Sequence, residues 1–144
     1  MSTQSAPGSE RDSAIIVVLR IDASRSQFVL FSARGRLLLR SGPIANGSMA
    51  EAIDEFQRHC GIRGFYRLRA APGGWVIELR STQQTLLAVS GHTLVDDELA
   101  QVTIQLALRQ GPFARIGRGP GDLPASIRRE RPRRETGCGE QVAA

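Results

Sequence analysis

The chain has 144 residues with a formal net charge of +5, and 41% of them are hydrophobic. This length suffices for one compact domain and excludes two of full size. All 19 basic residues are arginines. Because arginine stays protonated in proteins, it cannot replace lysine as a base or Schiff-base nucleophile, so lysine-dependent catalysis is excluded.

The cysteine content and the apolar segments indicate the cellular compartment. Cys60 and Cys138 are too few for a disulfide framework. His59 adjoins Cys60, but neighbouring residues on a helix point in different directions, so no metal site is expected. No apolar run approaches the roughly 18 residues of a membrane-spanning helix, and residues 1–13 lack the features of a signal peptide. The sequence predicts a cytoplasmic protein without metal or cofactor.

Composition divides the chain into three parts. Residues 1–13 are small and polar, residues 14–110 carry nearly all the large apolar residues, and residues 111–144 are rich in Gly, Pro and Arg. Only the middle part can bury enough apolar surface to offset the entropy lost on ordering. We therefore expect one domain between a disordered N-terminal segment and a disordered basic C-terminal tail.

The first half of the domain, residues 14–61, predicts three strands followed by a helix. The strand segments are residues 14–21, 26–33 and 37–41. The first of them is almost continuously apolar, which predicts a central strand buried on both faces. Ser48 is a candidate helix N-cap, with Glu51 three residues later. The apolar positions of the helix are Met49, Ile53, Phe56 and Cys60.

The second half, residues 62–110, predicts the same order of elements. Its strand segments are residues 64–70, 75–80 and 85–90. Asp96 or Asp97 is the candidate cap of the second helix. The apolar positions of this helix are Val95, Leu99, Val102 and Leu106, again at spacings of four, three and four.

The two halves match each other after a shift of 49 residues, which places Ser41-Gly42 on Ser90-Gly91 and Leu37-Leu38 on Leu86-Leu87. A unit of about 50 residues cannot close a sizeable core alone, so two such units are expected to share one sheet. The sequence predicts an α+β fold. Two tandem βββα repeats form one antiparallel sheet, and two amphipathic helices cover one of its faces.

This duplicated pattern, with a turn around Gly35, resembles the YegP-like family of small bacterial tandem-repeat proteins over roughly residues 25–110. The resemblance implies the same α+β fold of duplicated three-strand-plus-helix motifs, with the helices on one face of an antiparallel sheet. It implies no catalytic or binding residues, since the function of the family is largely uncharacterised. The second turn, residues 82–84, lacks the glycine that is usual in the family.

Candidate catalytic residues are few. Ser90, His92 and Asp96 or Asp97 have the side chains of a nucleophilic triad, but they lie within seven residues and lack a nucleophile elbow. Serine and aspartate also occur commonly where a strand ends and where a helix is capped, and this structural role is the favoured interpretation. The glycine-rich segment 117–121 follows no strand and precedes no helix, so it does not predict a phosphate loop. We expect a non-enzymatic protein.

Arginine clusters provide the strongest functional signal. Five arginines of the tail lie within seven residues: Arg128, Arg129, Arg131, Arg133 and Arg134. Further arginines accompany aromatic residues on the predicted sheet: Arg67, Arg69 and Arg80, with Phe65, Tyr66 and Trp75. Such residues can bind phosphates and stack on bases. Aromatic residues at this spacing on strands more often belong to the core or to a hairpin edge, and that interpretation is the favoured one for these three. Two hypotheses result, an interaction module that binds a protein partner or itself, and a nonspecific nucleic-acid binder that uses the tail and sheet arginines.

Overall fold

Residues 13–117 are the part of the chain that the computed structural model describes, and they form one sheet covered by two helices. The strands are β1 (Ile15–Arg20), β2 (Arg25–Phe31), β3 (Leu37–Arg40), β4 (Ile44–Ala45), β5 (Tyr66–Ala71), β6 (Gly74–Arg80), β7 (Leu86–Ser90) and β8 (Arg115–Ile116). The helices are α1 (Met49–His59) and α2 (Asp97–Gln110). The predicted α+β class, with one sheet and two helices, is confirmed.

The strands lie in the order β5-β6-β7-β3-β2-β1-β8, and the short β4 also pairs with β2. All pairs are antiparallel except β1 with β8, which is parallel. β3 and β7 meet in the middle of the sheet, where Arg40 pairs with Val89, a residue 49 positions later. β1 is therefore not central as predicted, because only the two-residue β8 separates it from the sheet margin.

The ordered part of the chain extends beyond the predicted domain boundary at residue 110. Gly111–Phe113 forms a 3-10 turn, and the Gln57 side-chain amide donates a hydrogen bond to the Gly111 carbonyl at 3.0 Å. The Gly117 N–H then donates to the Ile16 carbonyl at 2.7 Å. These bonds join residues 111–117, which the prediction assigned to the tail, to helix α1 and strand β1. The predicted segments beyond residue 117 and before residue 13 lie outside the described residues.

Helix α1 packs on the sheet as its sequence predicts. All four predicted apolar positions are buried, and Phe56 and Cys60 are fully so. The Phe56 ring lies 4.9 Å from the ring of Phe28 on β2, which joins the helix to the sheet core. Ser48 precedes the helix but makes no side-chain capping bond, so its predicted capping role is wrong.

Helix α2 buries only part of the predicted face, because Leu99 and Leu106 pack against the core and are partly buried, whereas the two valines are exposed. Val95 is 71% exposed and Val102 is 45% exposed. The buried positions are Ala100, Thr103, Ile104 and Ala107. Mostly small side chains on this face let the helix backbone approach the sheet closely, so the larger valines are left outside. The capping prediction is confirmed for Asp96, whose side chain accepts a hydrogen bond from the Leu99 N–H at 2.7 Å.

The turns after β2 and β6 are built alike. In each turn a buried serine, Ser32 or Ser81, accepts two backbone hydrogen bonds through Oγ. The donors are Arg34 and Arg36 in the first turn, and Gln83 and Thr85 in the second. Gly35 has a φ of 87°, and Gln84, 49 residues later, takes the same left-handed conformation with a φ of 66°.

Replacing Gln84 by glycine is expected to raise the free energy of unfolding by about 0.5–1 kcal/mol. A left-handed conformation costs a residue with a Cβ about 1–2 kcal/mol, and the greater freedom of glycine in the unfolded chain offsets part of that gain. Urea unfolding measures the change. The matched variant Gly35→Gln should shift stability in the opposite direction, and a shift of both variants in one direction would contradict this account.

Asp22 closes the turn between β1 and β2. Its Oδ2 accepts from the Arg25 guanidinium at 2.9 Å, and its Oδ1 accepts from the backbone N–H groups of Ser24 and Arg25, both at 2.9 Å. The guanidinium bond first, and then the backbone bonds, hold the pKa of Asp22 at about 2, below its ordinary 3.8.

A carboxyl whose pKa is lowered by folding stabilises the folded state above its unfolded pKa, and that contribution is lost as the pH falls through the folded value. For Asp22 the loss falls between about pH 4 and pH 2. We expect its carboxyl carbon to titrate in the folded protein with a midpoint near pH 2, measured by carbon-13 NMR. A midpoint at the ordinary value of 3.8 would show that the turn bonds do not form in solution.

Candidate interaction surface on the sheet

One margin of the sheet ends in a free strand edge. β5 is the last strand in the order, and within residues 13–117 it pairs only with β6. Its outer N–H and C=O groups therefore have no strand partner in the described part of the chain. Such an edge can accept an additional strand from another polypeptide.

The face of the sheet away from the helices is basic near this edge. Along β5, exposed Arg67 and Arg69 alternate with Tyr66 and Leu68, which pack into the helix-covered core. Pairing across the strands places four arginines on the same outer face, called here the arginine face: Arg40, Arg67, Arg69 and Arg80. One acidic strand residue, Glu78, lies among them, so the formal charge is four minus one, or +3.

Glu78 organises two of these arginines. Its carboxylate accepts from Arg69 Nε at 2.7 Å and from Arg80 Nε at 3.2 Å, and its side chain is 13% exposed. The hydrogen bond from Arg69 is the main reason that the pKa of Glu78 is lowered, so the carboxylate is charged at neutral pH. Among the described residues, Arg40 and Arg67 form no ion pair. Within residues 13–117, therefore, no carboxylate neutralises these two guanidiniums, and the Arg67 guanidinium donates only to the Gly64 carbonyl, at 3.4 Å.

A groove of about 240 Å³ lies between β5 and α2. Its lining contains no residue of β6, so it opens on the outer side of β5. The lining residues are Arg63, Tyr66, Arg67, Leu68, Gln101 and Ile104. Arg63 donates a hydrogen bond to the side chain of Gln101 and bridges the groove wall to α2. The groove offers space and positive charge for side chains of a strand added at the edge.

The charge of the helix layer has the opposite sign. α1 contains three acidic residues and one arginine, and α2 contains two acidic residues and one arginine, which gives formal charges of −2 and −1. The basic strand face and the acidic helices therefore lie on opposite sides of the sheet. An acidic ligand is attracted to the β5 margin and the arginine face and is repelled from the helices.

The aromatic side chains near these arginines belong to the core, as their spacing on strands predicts, and do not form stacking platforms beside the guanidiniums. Trp75 packs against the helix-covered core, and its N–H and C=O pair with Leu94 at 2.7 and 2.8 Å. Tyr66 is buried and donates its hydroxyl to the Cys60 carbonyl at 2.6 Å. The Phe65 ring contacts the His59 ring at 4.7 Å. Alternation along the strands puts the Trp75 and Tyr66 rings on the face opposite the arginines.

The residues of the apparent triad have structural roles. Ser90 is buried, and its Oγ accepts a hydrogen bond from the Ile77 N–H at 3.1 Å. Ser41, 49 residues earlier, accepts from the Phe28 N–H at 3.0 Å in the same way. With Asp96 acting as a helix cap, the interpretation as a strand end and a helix cap is confirmed for Ser90 and Asp96.

The remaining predictions concern the tail arginines, metal ligands and membrane-spanning helices. The tail arginines predicted to bind nucleic acid, Arg128, Arg129, Arg131, Arg133 and Arg134, lie outside the described residues. Within residues 13–117, no three His, Cys, Asp or Glu side chains come together as metal ligands would. Neither helix of this part is both long and apolar enough to cross a membrane.

The arrangement of strands and helices is shared with two solved structures. A UPF0339 protein from Shewanella oneidensis matches with a TM-score of 0.67 and 16% identity, over 74% of this chain and 91% of that chain. The yegP protein of E. coli, described as a protein of unknown function, matches with a TM-score of 0.67 and 15% identity, over 74% and 92%. The chain has a YegP-like fold. No protein-family model and no curated protein sequence matches it.

The YegP-like fold confirms the predicted resemblance at the level of architecture. At identities of 15–16%, the structural likeness does not establish an activity for this chain, and the yegP protein is itself of unknown function. The arginine face and the β5 edge are therefore interpreted from their own geometry.

Proposed function

We propose that this YegP-like domain is a non-enzymatic interaction module that binds an extended, acidic segment of a protein partner as an added strand on β5. The observation that carries the proposal is the coincidence of the free β5 edge with basic side chains on both sides of it. Arg67 and Arg69 project from the strand itself, and Arg63 lines the groove beneath it. Backbone hydrogen bonds supply affinity in such complexes, and flanking side chains supply specificity.

Self-association through the same edge is less favourable. If two copies of β5 paired antiparallel about Leu68, Arg67 of each copy would face Arg69 of the other. Like charges directly opposite each other destabilise a strand pair. An acidic partner segment instead places a carboxylate opposite each guanidinium, so a different acidic polypeptide fits the edge better than a second copy.

The proposal includes three further statements: the domain arose by tandem duplication, it is not an enzyme, and it lies in the cytoplasm. The matched serines and the matched turns recur after 49 residues, and Arg40 and Val89, which pair with each other, are also 49 residues apart. These features support a tandem duplication of a βββα unit. The structural roles of Ser90 and Asp96 support a non-enzymatic function. The free thiol of Cys60 supports a cytoplasmic setting, because cysteines of exported proteins are usually paired in disulfides.

A binding measurement with two matched variants tests the proposal. The probe is a short fluorescent peptide of alternating valine and glutamate, and binding is followed by anisotropy. Replacing Arg67 and Arg69 together by glutamine is expected to weaken binding about tenfold, which corresponds to about 1.4 kcal/mol from the removal of two charge pairs. Replacing the exposed helix residues Arg58 and Arg109 by glutamine removes the same charge elsewhere and should leave affinity unchanged. Equal weakening in both variants would reject the β5 site.

Nucleic-acid binding is the second candidate function, favoured by the +3 charge of the arginine face. The tail cluster, residues 128–134, would add further bonds to phosphates. If so, replacing its five arginines by glutamine should reduce the slope of log affinity against log salt by up to about 0.9 for each phosphate of duplex DNA that is no longer neutralised. A lack of DNA and RNA binding at low salt would eliminate this candidate and leave the strand-addition proposal unaffected.

A further inference from the structure

The two halves of the domain meet where β3 pairs with β7, and this junction has an approximate twofold axis. Arg40 pairs with Val89, and each of these residues occupies the position of the other in the opposite half, 49 residues away. Each contact on one side of the axis therefore has an expected counterpart on the other side. A contact that lacks its counterpart marks a place where the two halves differ.

One side of the junction is closed. Leu39 pairs with Ser90, and the Gly91 N–H donates a hydrogen bond to the Leu38 carbonyl at 3.3 Å. The Leu37 side chain covers Gly91, since a Cβ added to Gly91 would lie 2.4 Å from Leu37 Cδ2. Backbone pairing and one apolar side chain thus fill the space between the two strands on this side.

The opposite side of the junction is open, because the pairing of β3 with β7 stops at Arg40. Gly42 corresponds to Gly91, but its N–H has no hydrogen-bond acceptor among residues 13–117. No atom of the described residues lies within 4 Å of a Cβ added to Gly42. Leu86 corresponds to Leu37 and is 45% exposed. The leucine and the hydrogen bond that close the first side are thus not in place on this one.

A pocket of about 220 Å³ occupies the open side, between β7 and the connection from β3 to β4. Its lining is mostly apolar and includes Arg40, Gly42, Pro43, Ile44, Leu86 and Leu87. Ile44 and Leu87 pack against the helix-covered core, whereas Arg40 belongs to the arginine face, so the pocket is a gap between strands. Among the described residues that line it, only Arg40 is charged, and it has no ion-pair partner within residues 13–117.

We propose that this pocket binds a small organic monocarboxylate with one apolar ring or a branched chain of similar size. The Arg40 guanidinium and the Gly42 N–H are the donors for the carboxylate, and a hydrogen bond between two charged groups is the stronger kind. The side chains of Ile44, Leu86 and Leu87 contact the apolar body. An apolar cavity of about 150 Å³ holds benzene. The pocket of about 220 Å³ therefore has room for a ring and a carboxylate arm.

An NMR titration of the full chain with 3-phenylpropionate tests the proposal. We expect saturable amide shift changes at Gly42 and in residues 86–89, with a dissociation constant on the order of 1 mM, as is usual for so small a ligand. The uncharged amide of the same acid should bind about tenfold more weakly, because it cannot form a charge-assisted bond with Arg40. Shift changes that do not saturate, or that centre elsewhere on the sheet, would overturn the proposal.

Two variants with matched controls locate the binding. Gly42→Leu fills the open space and should abolish binding without lowering the melting midpoint, whereas Gly47→Leu, which also meets no described atom within 4 Å, should bind as the wild type does. Arg40→Gln should weaken binding of the acid about tenfold and leave binding of the amide unchanged. Arg34→Gln removes an exposed arginine outside the pocket and should affect neither ligand.

Undiminished binding to folded Gly42→Leu would show that the ligand lies elsewhere. If that variant does not fold, the Arg40→Gln comparison decides alone, and equal losses for acid and amide would reject the carboxylate site. The pocket is separate from the β5 edge, because β6 lies between β5 and β7. Gly42→Leu should therefore leave binding of the valine–glutamate peptide unchanged, so that either proposal can fail without the other.

Discussion

Replacing Phe56 by alanine is expected to lower the free energy of unfolding by about 3–5 kcal/mol, since a large-to-small change in a core leaves a cavity. The Phe56 side chain is fully buried, and its ring lies 4.9 Å from that of Phe28. It belongs to the core shared by both helices and the strands of both halves. Urea unfolding followed by circular dichroism measures the loss.

Phe113 provides a matched control, because the same ring is 83% exposed there. Phe113→Ala should change stability by no more than about 0.5 kcal/mol, as surface substitutions usually do. Similar losses in the two variants would mean that α1 does not pack on the sheet as the structure shows.

Replacing Gly74 by alanine is expected to cost about 3 kcal/mol or more, because a Cβ at this position would lie 2.0 Å from the Leu94 carbonyl oxygen. The clash is with backbone, which cannot move aside as a flexible side chain would. The substitution also breaks the hydrogen bonds between Trp75 and Leu94 that hold the loop before α2 against β6. Thermal unfolding measures the change.

Gly64→Ala is the control for this glycine, since nothing lies within 4 Å of its added Cβ. We expect it to be close to neutral. If Gly74→Ala were equally mild, the close approach of Leu94 to the β5–β6 turn would not exist in solution.

The two helices show why sequence predicts some packing and not the rest. In α1 the large apolar residues form one stripe, and burying that stripe removes the most apolar surface, so periodicity identifies the right face. In α2 Leu, Val, Ala and Ile are spread around the helix. The buried face is chosen by how closely small residues such as Ala100 and Ala107 let the backbone approach the sheet, and a hydrophobicity pattern does not contain that distance.

The apolar run of β1 predicted the burial of both strand faces correctly and the position of the strand in the sheet incorrectly. Its continuous apolarity predicts burial on both faces, and both Ile16, facing the helices, and Val17, facing away, are fully buried. The inferred position in the middle of the sheet was wrong. Burial of the second face depends on what covers that face and does not require a central position of the strand.

The candidate binding surface was only partly predictable. The sheet arginines were visible in the sequence, and strand alternation alone would have separated Arg67 and Arg69 from Tyr66. That β5 would become a sheet margin could not be predicted, because it depends on β3 and β7 pairing in the middle. The groove beside Arg63 depends in turn on the placement of α2.

Strand addition at β5 is tested most directly by NMR titration of the full chain with the acidic valine–glutamate peptide and with a version N-methylated at every residue. Both peptides carry the same charge, but the methylated one cannot donate the backbone hydrogen bonds that strand pairing needs. We predict amide shift changes concentrated in residues 66–71 with the first peptide and their loss with the second. Equal effects of both peptides, or changes centred elsewhere on the sheet, would contradict strand addition at the β5 edge.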